Sequence, residues 1–414
     1  MFILILCLAL YFCPETCAKE NQNLTSDEST NHVVAGMSET RDSLRKITSG
    51  LPTQRQQRSE KTALYYIGMP GYNRYRIPSL IVTKQGTLLA FCEGRIAGDT
   101  GDIDTLVRRS EDGGTTWSKY EVVWSDSSNT CGNPCPVVNQ STGRIYLLST
   151  WNLGTDHESQ IISWKSKDVR HPYVCYSDDD GKSWSKPVCI SDTARLDDWR
   201  WYATGPGIGI QIKQGKYAGR LVIPCDNSYT ETRNDVFKRN NRYGYGSHVI
   251  YSDDHGRTWK ISDTITPGCN ESQVVELSDG SLMMNMRSYN RKQCRAVSIS
   301  KDGGRSWSEI NHDPALIEPV CQASMITYRH DNNNLVLFSN PADKKSRIRM
   351  TVRLSFDDGR TWPVSRILHD GPAAYSCLAV LENGEIACFY EAGDKNPYES
   401  MIFEKFTLEW LTGQ

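Results

Sequence analysis

One eight-residue pattern constrains this chain more than any other feature. Ser-x-Asp-x-Gly-x-[Ser/Thr]-Trp occurs five times, at Ser110–Trp117, Ser177–Trp184, Ser252–Trp259, Ser300–Trp307 and Ser355–Trp362. The copies start roughly 50 to 75 residues apart, which marks a repeated structural unit rather than a chance motif. Its middle is turn chemistry: Asp bonds local backbone and Gly supplies a permissive torsion, while the terminal Trp is a packing anchor. Each copy follows a short β-like run: Thr105–Arg109, Val174–Tyr176, His248–Tyr251, Ala296–Ile299 and Met350–Leu354.

A hairpin signal lies upstream of each run. Examples are Pro78–Thr83 and Thr87–Cys92 around Lys84-Gln85-Gly86, and Gln273–Leu277 and Ser281–Met286 around Ser278-Asp279-Gly280. A sixth hairpin, Cys377–Leu381 and Glu385–Tyr390, lacks the repeat motif but continues into Met401–Phe406. The unit therefore reads strand, turn, strand, loop, strand, tight turn, strand. Six such units predict an all-β fold, a six-bladed β-propeller of four-stranded antiparallel blades, with Ala63–Ile67 closing the ring. The body is expected to be one domain over residues 61–414. A sandwich would leave the repeat unexplained.

The formal net charge of −2 leaves no footprint for nucleic acid or an acidic membrane. The first residues form an apolar run too short to span a bilayer, and small residues at Thr16-Cys17-Ala18 fit cleavage of a signal peptide covering residues 1–18. No other stretch is long enough for a transmembrane helix. Residues 19–60 are polar and read as a disordered leader. Secretion, or a secretory or lysosomal compartment, is the expected location. Sequons at Asn23 and Asn139 fit it, whereas one at Asn270 adjoins a candidate catalytic residue and is expected to stay unglycosylated. Eleven of the 14 cysteines lie beyond residue 18, dispersed and without CxxC knuckles, which argues against zinc. Cys131 and Cys135 are close enough in sequence for a disulfide. His171, His248 and His312 show neither metal spacing nor a nucleophile partner.

In such a blade the start of strand one, the end of strand two and the start of strand three share one face, and the repeat turns lie on the other. That rule sorts the polar residues. Arg76, Arg95, Asp99, Asn133, Glu271, Arg287, Arg347, Tyr375 and Glu391 all fall on the first face. A surface ion pair explains any one of these arginines. It does not explain arginines from several blades meeting near an axis, where they repel unless acids or a bound anion hold them.

With these residues the chain resembles the retaining exo-sialidases (neuraminidases) of the propeller type, over essentially all of residues 64–414. Tyr75-Arg76-Ile77-Pro78 is close to that family's Phe/Tyr-Arg-Ile-Pro motif, and the five repeats resemble its Asp boxes. The resemblance implies that Arg76, Arg287 and Arg347 form an arginine triad on the substrate carboxylate, with Arg349 the competing choice for the third. It implies Tyr375 as nucleophile, Glu271 as its base, and Asp99 as acid/base with Asp102 the runner-up. Arg95 is implied near the sugar's O4, Glu391 as the acid orienting Arg76, and Asn133 in the sugar pocket at a position that is often Asp. The implied partner is a sialylated glycan.

The chemistry suits these residue types. Guanidinium forks match a carboxylate bidentately. A carboxylate nucleophile approaching the substrate's own carboxylate would cost about 4 kcal/mol at 4 Å and an effective dielectric of 20. A neutral phenol avoids that cost but needs a base, and sialidases depart in this way from the two-carboxylate scheme of most glycosidases. The scheme needs no metal or organic cofactor. A propeller that binds sialoglycans without cleaving them, a transferring or anhydro-forming sialidase, and a hydrolase of a deaminated sugar are the other readings.

Overall fold

Each repeat folds as the same hydrogen-bonded turn. Its Ser hydroxyl donates to the Asp carboxylate and accepts from the Gly amide; at Ser110 both distances are 2.8 Å. The Asp carboxylate then takes the amide and the hydroxyl of the Ser or Thr four residues on, as Asp254 does from Thr258 at 2.9 and 2.6 Å. Those bonds hold the carboxyls of Asp112, Asp179, Asp254 and Asp302 down at about 2, although desolvation works in the other direction at each. The fourth position, free in the sequence pattern, is conformationally fixed. Gly113, Asp180, His255, Gly303 and Asp358 all have φ between 58° and 69°.

The turn glycine has a second constraint besides its positive φ. A Cβ at Gly181 would meet Leu89, at Gly256 Tyr146, at Gly304 Val249, at Gly359 Met283 and at Gly114 Phe403. In every copy an obstructing residue belongs to the preceding strand group, and for the first copy to the last; at Gly304 Leu282 of its own group obstructs equally. The repeat is thus a contact between neighbours as well as a turn.

The computed structural model describes residues 60–230, 243–331 and 333–413. All belong to one unit, Gly50–Gln414. The expected signal peptide, the leader apart from Glu60, and the sequon at Asn23 lie outside the described residues. β1 (Glu60–Tyr66) precedes a run of antiparallel meanders. The first comprises β2 (Arg74–Val82), β3 (Leu88–Arg95), β4 (Ile103–Ser110) and β5 (Glu121–Trp124). The next comprises β6 (Thr130–Val138), β7 (Ile145–Asn152), β8 (His171–Ser177) and β9 (Val188–Cys189). Then β10 (Tyr202–Thr204) and β11 (Ile210–Gln211) both pair with β12 (Leu221–Thr230), followed by β13 (Tyr243–Ser252) and β14 (Lys260–Ile261). β15 (Cys269–Glu276), β16 (Leu282–Ser288), β17 (Cys294–Ser300) and β18 (Asn311–Ile317) form another. β19 (Ser324–His330), β20 (Asn333–Pro341) and β21 (Ile348–Ser355) pair in turn with the first part of β22 (Val364–Val380). The second part of β22 opens the last group with β23 (Ile386–Ala392) and β24 (Ser400–Phe406), and β1 completes it beside β24. The unbroken β22 and a parallel bridge from Ile103 to Thr130 merge neighbouring groups, so hydrogen bonding runs through four sheets.

The arrangement is propeller-like. The first strands of successive groups pack on one another, and β2 packs on both β6 and β22. Polar side chains cross the gaps between them. Ser79 donates to the Gly207 carbonyl at 2.7 Å, Gln322 donates to Pro206 and Ser376 carbonyls at 3.1 and 3.0 Å, and Gln273 donates to Pro206 at 3.3 Å.

Two expectations are corrected. Cys131 and Cys135 are free thiols, as are all described cysteines. A bulge between Gly132 and Cys135 separates them: Cys131 lies beside Asp104 and Asp126, and Cys135 beside Cys225 and Cys377. Asn139 does not fit an N-linked glycan, because it is fully buried and its amide nitrogen sits 3.3 Å from His255 Nδ1.

The two constraints on the turn glycine are separable. Gly256→Ala adds strain at φ 84° and a clash with the Tyr146 ring, whereas Gly219→Ala has φ 94° and open space around the new methyl. Urea unfolding is expected to show Gly256→Ala the more destabilising by about 1 to 3 kcal/mol, the usual cost of overpacking. Equal losses would refute the contact role.

Candidate active site

Extra residues in the inner strands build the site. Bulges interrupt β2 between Arg76 and Ser79, β6 between Gly132 and Cys135, β15 between Cys269 and Ser272, and β22 between Ala373 and Ser376. A bulge re-aims side chains and frees backbone N–H groups. Here Arg76, Asn133, Glu271 and Tyr375 turn into one cavity of about 270 Å³. Arg95 at the end of β3, Arg287 in β16, Arg347 just before β21 and Asp99 in the β3–β4 loop complete its wall. Glu391 of β23 lies directly behind.

Glu391 is fully buried and uses both oxygens. It takes a bidentate fork from Arg76 at 3.0 and 3.1 Å, the Ile77 amide at 2.9 Å and the Tyr375 amide at 3.1 Å. Arg76 is thereby aimed, with its guanidinium 4.1 Å from the Tyr398 ring and 5.1 Å from the Tyr375 ring. Arg347 donates to the Tyr398 hydroxyl at 2.9 Å and to the Val320 carbonyl at 3.3 Å.

The Tyr375 hydroxyl donates to the Glu271 carboxylate, 2.6 and 2.8 Å from its two oxygens. Arg287 donates to Glu271 at 2.8 Å and to the Tyr375 hydroxyl at 3.1 Å. Burial and the Glu271 charge push the Tyr375 phenol well above its ordinary range, against the opposing pull of Arg287 and Arg347. The resting phenol is neutral, and its proton already points at a carboxylate.

Asp99 is 85% exposed yet ion-paired with Arg95 and, at 3.4 Å, with Arg76. The surrounding cavity walls desolvate its carboxyl enough to raise it, but the guanidiniums of Arg95 and Arg76 hold it below the usual carboxylate range. Arg95 is fixed from behind by Glu93 at 2.7 Å, and the other Glu93 oxygen accepts the Asn133 amide at 2.7 Å. The Asn133 side chain accepts from Arg170.

A second set of findings comes from comparison. The chain matches the BNR repeat-like domain family over residues 86–388. It is 30% identical to an exo-alpha-sialidase of Aspergillus fumigatus over 377 residues, 82% of this chain and 86% of the relative. The chain belongs to the sialidase family. It is 34% identical to a sialidase of Micromonospora viridifaciens over 84% of its own length, of which it spans 53%, and it spans 60% of a Bacteroides fragilis relative. The Hadza microbial sialidase Hz136 superimposes with a TM-score of 0.75 at 29% identity, covering 85% of this chain and 69% of that one. A leech intramolecular trans-sialidase at 22% identity, TM-score 0.71, shares the fold over 86% of this chain and 71% of its own.

The cavity also separates the paired candidates from the sequence. Arg347 lines the cavity; Arg349 has φ 64°, is half exposed and pairs with Asp370 at 3.5 Å. Asp99 lines the cavity, and Asp102 does not. Asn270 is spent on a 2.9 Å hydrogen bond to Asp226. Several cavity residues escaped the sequence reading. Glu93 stands two residues before Arg95, on the same strand face. Arg170 precedes β8, a position that the rule for strand starts already covers, whereas Asp226 lies midway along β12, where that rule does not reach. Asp226 is fully buried, and desolvation with the nearby Glu271 and Glu158 raises its carboxyl well above the usual range. Tyr398 sits in a charged loop that gives no periodic signal. Among the described residues, no group of His, Cys, Asp or Glu is placed to hold a metal ion.

Removing Glu391 would strand a buried guanidinium and two amides. Glu391→Ala is expected to cost about 3 to 5 kcal/mol, the usual penalty for breaking a buried pair, measured by urea unfolding. A loss below about 1 kcal/mol, the size of an exposed pair, would contradict the role given to it.

Proposed function

We propose that the chain is an exo-α-sialidase that removes terminal sialic acids from glycoproteins, glycolipids or oligosaccharides with retention. The observation that carries this reading is the Tyr375 hydroxyl held on Glu271 beside Arg287, within a cavity also lined by Arg76 and Arg347. The three guanidiniums grip the substrate carboxylate. Glu271 takes the phenolic proton as the Tyr375 oxygen attacks the anomeric carbon. Asp99 protonates the leaving oxygen, then activates water to release the sugar. Arg95 and Asn133 orient the ring. The substrate carboxylate competes with Asp99 for Arg76, and this contest returns Asp99 toward an ordinary carboxyl able to carry a proton. The four-stranded groups are six blades of a propeller, with the last closed by β1. The apolar N-terminal run directs the chain into the secretory pathway.

Two experiments test this. Tyr375→Phe is expected to lower kcat on a fluorogenic sialoside by about 10²-fold or more while sugar binding persists, as loss of a nucleophile does. Near-normal turnover would sink the nucleophile role. NMR of the first-formed product should show α-sialic acid; an anhydro sugar or a transfer product would instead support an intramolecular or transferring enzyme. For secretion, protein recovered from the medium of expressing cells should begin at Lys19, and retention inside the cell with an intact N-terminus would refute it.

A further inference from the structure

One nucleophilic side chain lies outside the cavity and plays no part in the proposed hydrolysis. Cys189 in β9 is exposed, whereas every other described cysteine is buried. It is not isolated. Its sulfur lies 3.3 Å from Ser191 Oγ, which lies 2.8 Å from His171 Nδ1, and His171 Nε2 lies 3.2 Å from Asp168 Oδ1. The scaffold is fixed on both strands. Cys189 pairs with Tyr173 across the β8–β9 ladder, the next amide, Ile190, donates to Pro172 at 3.0 Å, and the imidazole packs against Trp151 at 6.1 Å. This corrects the expectation that His171 has no nucleophile partner. Sequence separation hides the pair, and only strand pairing reveals it.

We propose that Cys189, with His171 and Asp168, forms a thiol-modification site that exchanges with small-molecule disulfides. The titratable groups facing the sulfur are His171 and Tyr173 on β8, with Asp168 beyond His171 and Asp126 beyond Tyr173. Burial alone would raise the thiol, but hydrogen bonds from His171 and Ser191 bring it down to about 7. Cys189, aided by Asp168 against burial, raises His171. Thiol down and imidazole up means that the proton moves from sulfur to ring through Ser191, whose hydroxyl bonds both, giving a thiolate and an imidazolium linked by that hydroxyl. At pH 7 about half the Cys189 is then thiolate, against about 3% for a free cysteine, and a thiol titrating near the ambient pH is the best placed to attack a disulfide.

In the exchange, Cys189 thiolate attacks one sulfur of R–S–S–R. That S–S bond breaks, a mixed disulfide forms at Cys189, and the other half leaves as a thiolate that takes the proton from His171. Cys189 is oxidised and the departing half is reduced, so no further oxidant is needed.

The test treats the full chain with oxidised glutathione at a series of pH values, quenches with acid and maps modified peptides by mass spectrometry. The Cys189 peptide is expected to be modified ahead of every other cysteine, including Cys7, Cys13 and Cys17, with a half-maximal rate near pH 7. His171→Gln should move that midpoint toward about 8.5 and slow the reaction at pH 7 about ten-fold. Earlier modification of another cysteine, or a wild-type midpoint near 8.5, would overturn the proposal. If His171→Gln fails to fold by circular dichroism, the wild-type midpoint decides alone. Cleavage of a sialoside by Cys189→Ser, measured in parallel, keeps this outcome separate from that of the hydrolase reading.

Discussion

The carboxylate of Glu391 is the interaction on which the site depends. It stands in the last strand group and takes hydrogen bonds from Arg76 and Ile77 of β2 and from the Tyr375 amide of β22. Two of those donors are backbone amides that bulges removed from the ladder. A buried anion with four donors satisfies its desolvation only in that one arrangement. The first group, the last group and the placement of Arg76 and Tyr375 in the cavity are therefore fixed by one side chain. Arg76 and Tyr375 are far apart in sequence, and neither would hold its place without it.

The five repeats were enough to read the all-β architecture, because turn chemistry and hairpin signals recur at each copy. What the pattern hid was a second left-handed position, filled by residues as different as Gly113 and His255. Strand ends were less legible. The strand expected at Pro78–Thr83 runs Arg74–Val82, and that expected at Gln273–Leu277 runs Cys269–Glu276. Each starts earlier, toward the cavity. The missed residues are charged, bulged or at positive φ, so they break the alternation by which a strand is recognised. Cavity lining and misreading coincide there for one reason: the bulge that turns a side chain into the cavity also breaks the pleat.

Site residues were legible where a topological rule or a motif reached them, and ambiguous where period-two spacing put two candidates on one face. Arg347 and Arg349 are such a pair. A register shift between Ile348 and Met350 divides them, and no spacing argument contains it. Arg170 obeyed the rule but carried no motif, and Asp226 lies midway along β12, beyond the reach of the rule. Cys189 and His171 obeyed neither, since their contact exists only across paired strands.

Asp99 gives the cavity an anion of its own. Any carboxylate that enters meets a tethered competitor whose effective concentration is set by a short loop, not by the solution. Simple anions that merely neutralise Arg76 and Arg95 exchange one ion pair for another and gain little. On the proposed reading a glycoside offers more, because its bridging oxygen gives the evicted carboxyl a new partner. On that reading the cavity discriminates against small salts before any contact with the sugar is counted.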